Sequence, residues 1–172
     1  NTPELSILVE AVVAADLAAT LSTGTLTVFA PTNAAFAALL TELGVSKEAL
    51  LANKPLLTAV LTYHVLGSTV ARADVPLGKA ITQVSGGFFK IESNNGLKIT
   101  DGRNRVSTIT ATDIQASNGV VHLLDRVLLP ADKDIVATAS ALPDFSILVE
   151  AVAAAGLVPT LQGQGPFTVF AP

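Results

Sequence analysis

The residue types that most often carry chemistry are sparse in this chain. It has two histidines, His64 and His122, and no cysteine. A zinc site would therefore have to combine these histidines with carboxylates, and neither histidine has a second histidine at helical ligand spacing. The sequence predicts no metal site. The lack of cysteine also excludes disulfides and thiol nucleophiles.

Other catalytic and cofactor motifs are incomplete or missing. The chain has no Gly-x-Ser-x-Gly nucleophile elbow and no phosphate-binding loop. Its Gly163-Gln164-Gly165 stretch lacks the third glycine of a dinucleotide fingerprint, and Asp101-Gly102-Arg103-Asn104 has too few acidic ligands for a calcium loop. We therefore expect neither an enzyme nor a cofactor-binding protein.

Composition narrows the classes of partner. The formal net charge is -4 and no basic cluster is present, which argues against a nucleic-acid partner. Apolar residues make up 50% and charged residues only 14%, whereas about 25% charged is usual. No apolar run reaches the roughly 20 residues of a membrane span, since acidic residues such as Glu10 and Asp16 interrupt the apolar segments. We expect this apolar surface to be buried in a core or at an interface between domains or subunits.

The first half of the chain has helical signals. Thr2 and Pro3 form a typical helix start, and Leu5, Leu8, Val9 and Val12 then fall on one helical face. A short β-rich run at 26–30 leads through Pro31 and Thr32 into a second helix that stops at Gly44. Ser46 and Pro55 begin two further helices, of which the last runs to His64.

From residue 65 onwards the apolar period changes to two. The segments 89–92 and 97–99 flank Asn94-Asn95-Gly96, which predicts a β-hairpin because Asn and Gly tolerate positive φ. Near-continuous apolar runs at 120–124 and 127–129 predict strands covered on both faces. We expect an α+β fold with helices in the N-terminal half packed on a small β-sandwich or wedge.

The opening of the chain occurs twice. Residues 3–21 and 27–31 return as 143–161 and 168–172, at offsets of 140 and 141. This period is the size of a domain, so it indicates a tandem array rather than a solenoid. We expect one nearly complete domain at 1–133 and the N-terminal part of a second repeat at 134–172.

Three stretches together resemble the fasciclin (FAS1) domain family. They are TVFAPTNAAF at 27–36, TYHVL at 62–66 and TDIQASNGVVHLLDRVLLP at 112–130, which are similar to the first signature, the Tyr-His motif and the second signature of that family. The resemblance implies a secreted or cell-surface protein with an adhesion or matrix-assembly role and no catalytic activity as its main role. The absence of Asn-x-Ser/Thr sequons fits a bacterial origin. It also implies binding roles for Tyr63, His64, Asp113 and Ile114.

These positions have structural interpretations as well. His64 closes a helix, where its ring can bond the last carbonyls, and Tyr63 offers an apolar ring with a polar tip. Asp113 precedes a turn and can bond backbone amides, and His122 lies in an apolar strand as a hydrogen-bonded core residue would. Thr112 stands where adhesive relatives tend to have proline, and Gln115 where they have an apolar residue.

The segment 134–172 has about 40 residues, which are too few for an independent core without disulfides or metal. Its apolar side chains therefore predict an interface with other fasciclin modules or identical protomers, and the expected contact residues are Ile135, Leu142, Phe145, Leu148, Val152, Leu161 and Phe170.

Two functional hypotheses remain open. The first is an extracellular adhesion or scaffold module that links end to end through tandem repeats or segment exchange, with cell-surface or matrix components as further partners. The second is a carrier of a hydrophobic small molecule such as a carotenoid, which the low aromatic share of 5% disfavours.

Overall fold

The computed structural model describes residues 3–93, 95–163 and 167–172. By its internal contacts the chain divides into two compact units, Asn1–Pro130 and Ala131–Pro172. We call them unit 1 and unit 2 and describe each by itself.

Five helices of unit 1 precede most of its strands. They are α1 (Ser6–Ala14), α2 (Ala18–Ser22), α3 (Asn33–Leu43), α4 (Lys47–Ala52) and α5 (Lys54–Tyr63), with short 3-10 turns at Pro3–Leu5 and Arg72–Asp74. The predicted helix start at Ser46 and the predicted stop at Gly44 are observed. Thr32 and Ser46 accept backbone N–H groups at the starts of α3 and α4, and Gly44 ends α3 with φ 64°. The predicted cap at Thr2 lies outside the described residues.

The strands of unit 1 form one seven-stranded sheet. They are β1 (Leu26–Pro31), β2 (Val65–Leu66), β3 (Ala80–Thr82), β4 (Phe88–Ser93), β5 (Leu97–Thr100), β6 (Val106–Ala116) and β7 (Gly119–Leu124), in the order β2-β1-β7-β6-β5-β4-β3. The predicted hairpin is β4 paired antiparallel with β5; its Asn94 lies outside the described residues. Strand β1 runs parallel to β7. The expected α+β fold is confirmed, with helices and sheet forming a wedge.

Two expectations about local structure were wrong. Residues 127–129 are buried but form no strand, because their backbone donors bond to side chains instead of a neighbouring strand: Leu128 to His64 and Leu129 to Asp101. Val9 was expected on the inner face of α1 together with Leu8, yet it is 59% exposed, because the buried face contains Leu8 and Ala11.

Two apolar clusters hold unit 1 together. The first joins α1, α3 and α5 around Leu8, Phe36 and Leu57, and the second lies under the sheet around Phe29, Phe89 and Ile99. Strand β1 contributes to both, since Ala30 belongs to the first cluster and Phe29 to the second. The opening helix and strand are therefore part of the core of unit 1.

Unit 2 is helical where the structure describes regular elements. It contains α6 (Ile135–Ser140), a 3-10 turn at Pro143–Phe145, α7 (Ser146–Ala154) and α8 (Val158–Leu161). Asp134 caps α6 by accepting the N–H of Ala137 at 2.7 Å. None of its described residues is buried, in agreement with the small size of the unit.

Candidate functional site

The Tyr-His motif lies inside unit 1, at the end of α5. Tyr63 is 1% exposed; its hydroxyl donates to the carbonyl of Phe88 at 2.6 Å and accepts the N–H of Gly102 at 2.8 Å. Burial raises the pKa of the Tyr63 hydroxyl to about 12. These bonds tie the end of α5 to β4 and to the turn after β5.

His64 is buried beside it with both ring nitrogens bonded. The carbonyl of Val60 lies 2.7 Å from Nδ1, and the N–H of Leu128 points at Nε2 from 2.9 Å. Because a carbonyl can only accept and a backbone N–H can only donate, Nδ1 carries the proton and the ring is neutral. Burial lowers the pKa of His64 to about 4. Through these two hydrogen bonds the ring joins the end of α5 to the chain after β7.

A buried carboxylate organises the turn next to this pair. The side chain of Asp101 is 1% exposed, and its Oδ1 accepts the N–H groups of Arg103 and Arg105, each at 2.9 Å. Its Oδ2 accepts the N–H of Leu129 and the guanidinium of Arg105, each at 2.9 Å. Arg105 also binds Glu42 at 2.8 Å. A buried charge of this kind is tolerated because it is paired and fully hydrogen-bonded.

This network was missed by sequence reasoning, which considered Asp101 only as a weak calcium ligand. The signal was the acid and base four residues apart at Asp101 and Arg105, but such spacing outside a helix does not by itself predict contact. Among the described residues, no group of three or more histidines and acidic residues is placed to hold a metal ion.

The Asp113-Ile114 pair lies in a separate network on β6. Asp113 has φ 56° at an irregularity in the β6–β7 pairing, and its Oδ1 accepts the N–H of Arg72 at 2.9 Å. The N–H of Asp113 donates to Nδ1 of His122 at 3.3 Å, while the other nitrogen of that ring lies 2.9 Å from the carbonyl of Val70. Asp113 therefore bonds a distant loop rather than the nearby turn.

The four predicted binding residues differ in their exposure to solvent. Tyr63 and His64 are buried, so a partner could reach them only through an opening of unit 1. Ile114 is 40% exposed and stands beside the bulge at Asp113. Its binding role and that of the other three residues stay predictions. The structural interpretation accounts for the hydrogen bonds of Tyr63, His64 and His122.

The predicted interface residues of unit 2 are all at least partly exposed. Leu142 is 45% and Phe170 is 92% exposed, and Ile147, which was not on the predicted list, is 80% exposed. A groove of about 270 Å³ in this unit is lined almost entirely by apolar side chains, among them Ile135, Leu142, Phe145 and Leu148. Val152 and Leu161 line a smaller neighbouring groove of about 20 Å³. The interface role of these residues stays a prediction.

The described helices include none that is long and apolar enough to cross a lipid bilayer.

Comparison with known proteins agrees with the fold. The chain is 43% identical over 129 residues to protein sll1483 of Synechocystis sp., covering 73% of this chain and 67% of that protein. It is 32% identical over 155 residues to the transforming growth factor-beta-induced protein ig-h3 of Sus scrofa, covering 87% of this chain but only 21% of that protein. The solved structure of a FAS1 domain pair from the insect cell adhesion molecule fasciclin I superposes with a TM-score of 0.56 at 18% identity, covering 93% of this chain and 56% of that chain.

Two separate stretches, residues 3–130 and 143–172, match the fasciclin domain, and they account for most of the sequence. The first contains all three of the sequence signatures and the buried networks around Asp101, His64 and Asp113. The second repeats the sequence of the opening helix and strand of the first. This chain belongs to the fasciclin domain family.

Proposed function

We propose that this chain is a non-enzymatic extracellular module for adhesion or scaffolding, whose fasciclin domains connect end to end. The observation that carries the proposal is the repeated opening: one fasciclin domain is followed by a second copy of the sequence of its first helix and strand, and several large apolar residues of that copy, among them Ile147, Leu157 and Phe170, are exposed within unit 2. Exposed apolar surface of this kind is typical of a contact surface between proteins.

The polar networks support a structural module over an enzyme. His64 and Asp101 are the groups best suited to proton transfer or charge stabilisation, and both are buried with their bonding capacity taken up by backbone groups and Arg105. A general acid or base must reach a substrate, which neither side chain does in this arrangement.

The geometry of unit 1 gives the hypothesis of a hydrophobic-ligand carrier less support than the adhesion hypothesis has. A groove between α2, β1 and α5 is lined mainly by apolar side chains such as Leu21, Leu26 and Leu61, with threonine hydroxyls at Thr20 and Thr62. Its volume of about 210 Å³ lies below the roughly 300–1,000 Å³ that is usual for small-molecule sites. A long polyene would not be enclosed there, so we favour adhesion.

The test is a bead-aggregation assay with the 172-residue chain coupled to microspheres, together with binding of the same beads to immobilised matrix proteins and polysaccharides. We expect clustering or capture that albumin-coated beads do not show. Beads that neither cluster nor bind any coated surface would contradict the adhesion function. A coloured, ligand-loaded natural protein would favour the carrier instead.

A further inference from the structure

Unit 1 has three places where an asparagine or aspartate directly precedes a glycine, here called Asx-Gly steps. They are Asn95-Gly96, Asp101-Gly102 and Asn118-Gly119. In such a step the backbone nitrogen of the glycine can attack the side-chain carbonyl carbon of the preceding residue and close a five-membered succinimide ring. Glycine favours this reaction because it has no Cβ to hinder the approach and adopts a wide range of backbone angles. The environments of the three steps differ.

The Asp101-Gly102 step has both reacting groups occupied. The side chain of Asp101 is 1% exposed, and its carboxylate accepts backbone N–H groups and the guanidinium of Arg105. A carboxylate bonded in this way is a poor electrophile, because a nucleophile would have to approach a carbon that carries two negatively charged oxygens. The nitrogen of Gly102 is engaged as well, since its N–H donates to the hydroxyl of Tyr63 at 2.8 Å.

The Asn118-Gly119 step is held by strand pairing. The side-chain amide of Asn118 donates to the carbonyl of Leu21 at 2.9 Å, and its main-chain carbonyl accepts the N–H of Leu26 at 3.0 Å. Gly119 begins β7 and lies between Ala116 of β6 and Leu26 of β1. Its contact with β1 is so close that a Cβ there would lie 1.8 Å from the carbonyl oxygen of Leu26. Ring closure would require Asn118 to give up these bonds and Gly119 to leave the sheet.

The Asn95-Gly96 step is free of such contacts. Both residues are exposed at the turn between β4 and β5, beyond the last strand pair, Ser93 opposite Leu97. Within the part of the chain that the structure describes, neither the side chain of Asn95 nor the N–H of Gly96 has a hydrogen-bond partner. Movement of Asn95 towards the geometry of ring closure therefore breaks no hydrogen bond to a described group.

We propose that Asn95 is a site of spontaneous deamidation, and that the fold confines this modification to one of its three Asx-Gly steps. The nitrogen of Gly96 forms a bond to Cγ of Asn95, the Cγ–Nδ2 bond breaks, and Nδ2 leaves as ammonia with the amide proton of Gly96. Water then opens the succinimide. Addition at the side-chain carbonyl gives aspartate, addition at the main-chain carbonyl gives isoaspartate, and no atom changes its oxidation state.

This modification changes the charge and the shape of the hairpin end. Each conversion replaces a neutral amide by a carboxylate, which adds one negative charge to the formal net charge of -4. Isoaspartate also lengthens the main chain by one carbon between β4 and β5. These two strands contribute Phe89, Ile91 and Ile99 to the second apolar cluster. The deamidated fraction therefore grows with the age of the protein, at a turn whose strands support the core.

Peptide mapping by mass spectrometry tests the assignment. The 172-residue chain is incubated at neutral pH and digested with trypsin at intervals. The tryptic peptide 91–98 contains both Asn94 and Asn95, so fragment spectra are needed to place the mass gain on one residue. Electron-transfer fragmentation distinguishes aspartate from isoaspartate. We expect both products at Asn95 and no isoaspartate at Asp101.

Asn118 is the reference site in the same molecule. It should convert at least about 10-fold more slowly than Asn95, because the loss of one hydrogen bond on the way to the ring corresponds to about that factor in rate. In guanidinium chloride the chain is unfolded and neither step is held. We expect Asn95 and Asn118 to convert at similar rates there, since glycine follows both.

Two matched variants isolate the site by its charge. Asn95→Gln should remove the early acidic species seen on isoelectric focusing, because a glutamine side chain would have to close a less favourable six-membered ring. Asn94→Gln changes the adjoining asparagine, which is followed by Asn95 instead of glycine, and should leave that species in place.

Three results would overturn the proposal. The first is conversion of Asn118 as fast as that of Asn95 in the folded chain. The second is a folded chain whose Asn95 stays intact while the unfolded chain converts. The third is an early product located at Asn94. None of these measurements depends on the adhesion function.

Discussion

Acidification should destabilise unit 1 through His64. The ring is neutral and buried in the folded state, where burial lowers its pKa to about 4, whereas an unfolded histidine titrates near 6.5. Above pH 6.5 both states are neutral and the full stability is present. As the pH falls from 6.5 to 4, the unfolded state takes up a proton that the folded state resists, so stability is lost in this window.

The size of the effect follows from the two pKa values. At 1.36 kcal/mol per pH unit, the difference between 6.5 and about 4 corresponds to about 3 kcal/mol. That is a large fraction of the roughly 5–15 kcal/mol by which a domain is usually stable. Carboxylates titrate in part of the same window, so the contribution of His64 has to be isolated by substitution.

The assay is urea unfolding at several pH values between 7 and 4, followed by the fluorescence of Tyr63, which is the only tyrosine in a chain without tryptophan. His64→Gln should be less stable than the parent at pH 7 because the bonds to Val60 and Leu128 are impaired, and the gap should close by about 3 kcal/mol towards pH 4.

Val13→Ala, a change at a residue that is 62% exposed, leaves His64 in place and should keep the full pH dependence of the parent. If the curves of the parent and His64→Gln run parallel from pH 7 to pH 4, the assignment of the acid sensitivity to this ring is refuted.

Three further tests of the architecture compare variants by chemical unfolding in dilute solution. Phe29→Ala should lower the free energy of unfolding by about 3–5 kcal/mol. Phe170→Ala, the same change at a residue that is 92% exposed, should change that free energy by less than about 0.5 kcal/mol. Equal effects would contradict the burial of β1. Asp16→Gly should stabilise unit 1 by about 0.5–1 kcal/mol, because it removes an aspartate at φ 59° and loses only an exposed ion pair to Lys54. A destabilised variant would show that the ion pair contributes more to stability than the relief of the left-handed backbone conformation. Gly119→Ala should cost at least about 3 kcal/mol, since a Cβ there would lie 1.8 Å from the carbonyl oxygen of Leu26; a near-neutral result would argue against the parallel pairing of β1 with β7.

Local features of the fold could be predicted because they depend on neighbours in sequence. The caps at Thr32 and Ser46 and the stop at Gly44 depend on side chains and φ angles within one helical turn. The α+β fold followed from the change of apolar period near residue 65 and from the family signatures. The repeat could be recognised from sequence identity alone.

The polar networks could not be predicted because their partners are far apart in the chain. His64 meets Leu128 across 64 positions, and Asp101 meets Leu129 across 28. These bonds also explain why residues 127–129, whose apolar pattern predicts a strand, form none. Backbone donors that bond to buried side chains have no need of a neighbouring strand.

The sequence by itself determined that the residues of the opening helix and strand are repeated near the end and that the chain carries fasciclin signatures. Only the tertiary structure decided which residues of that repeated segment are buried, and so showed that Phe29 and Phe170 have opposite environments in the same local sequence. The physical reason is that burial is a property of what surrounds a residue. Residues 32–130 form a slot around the first copy, and the described part of unit 2 provides none for the second.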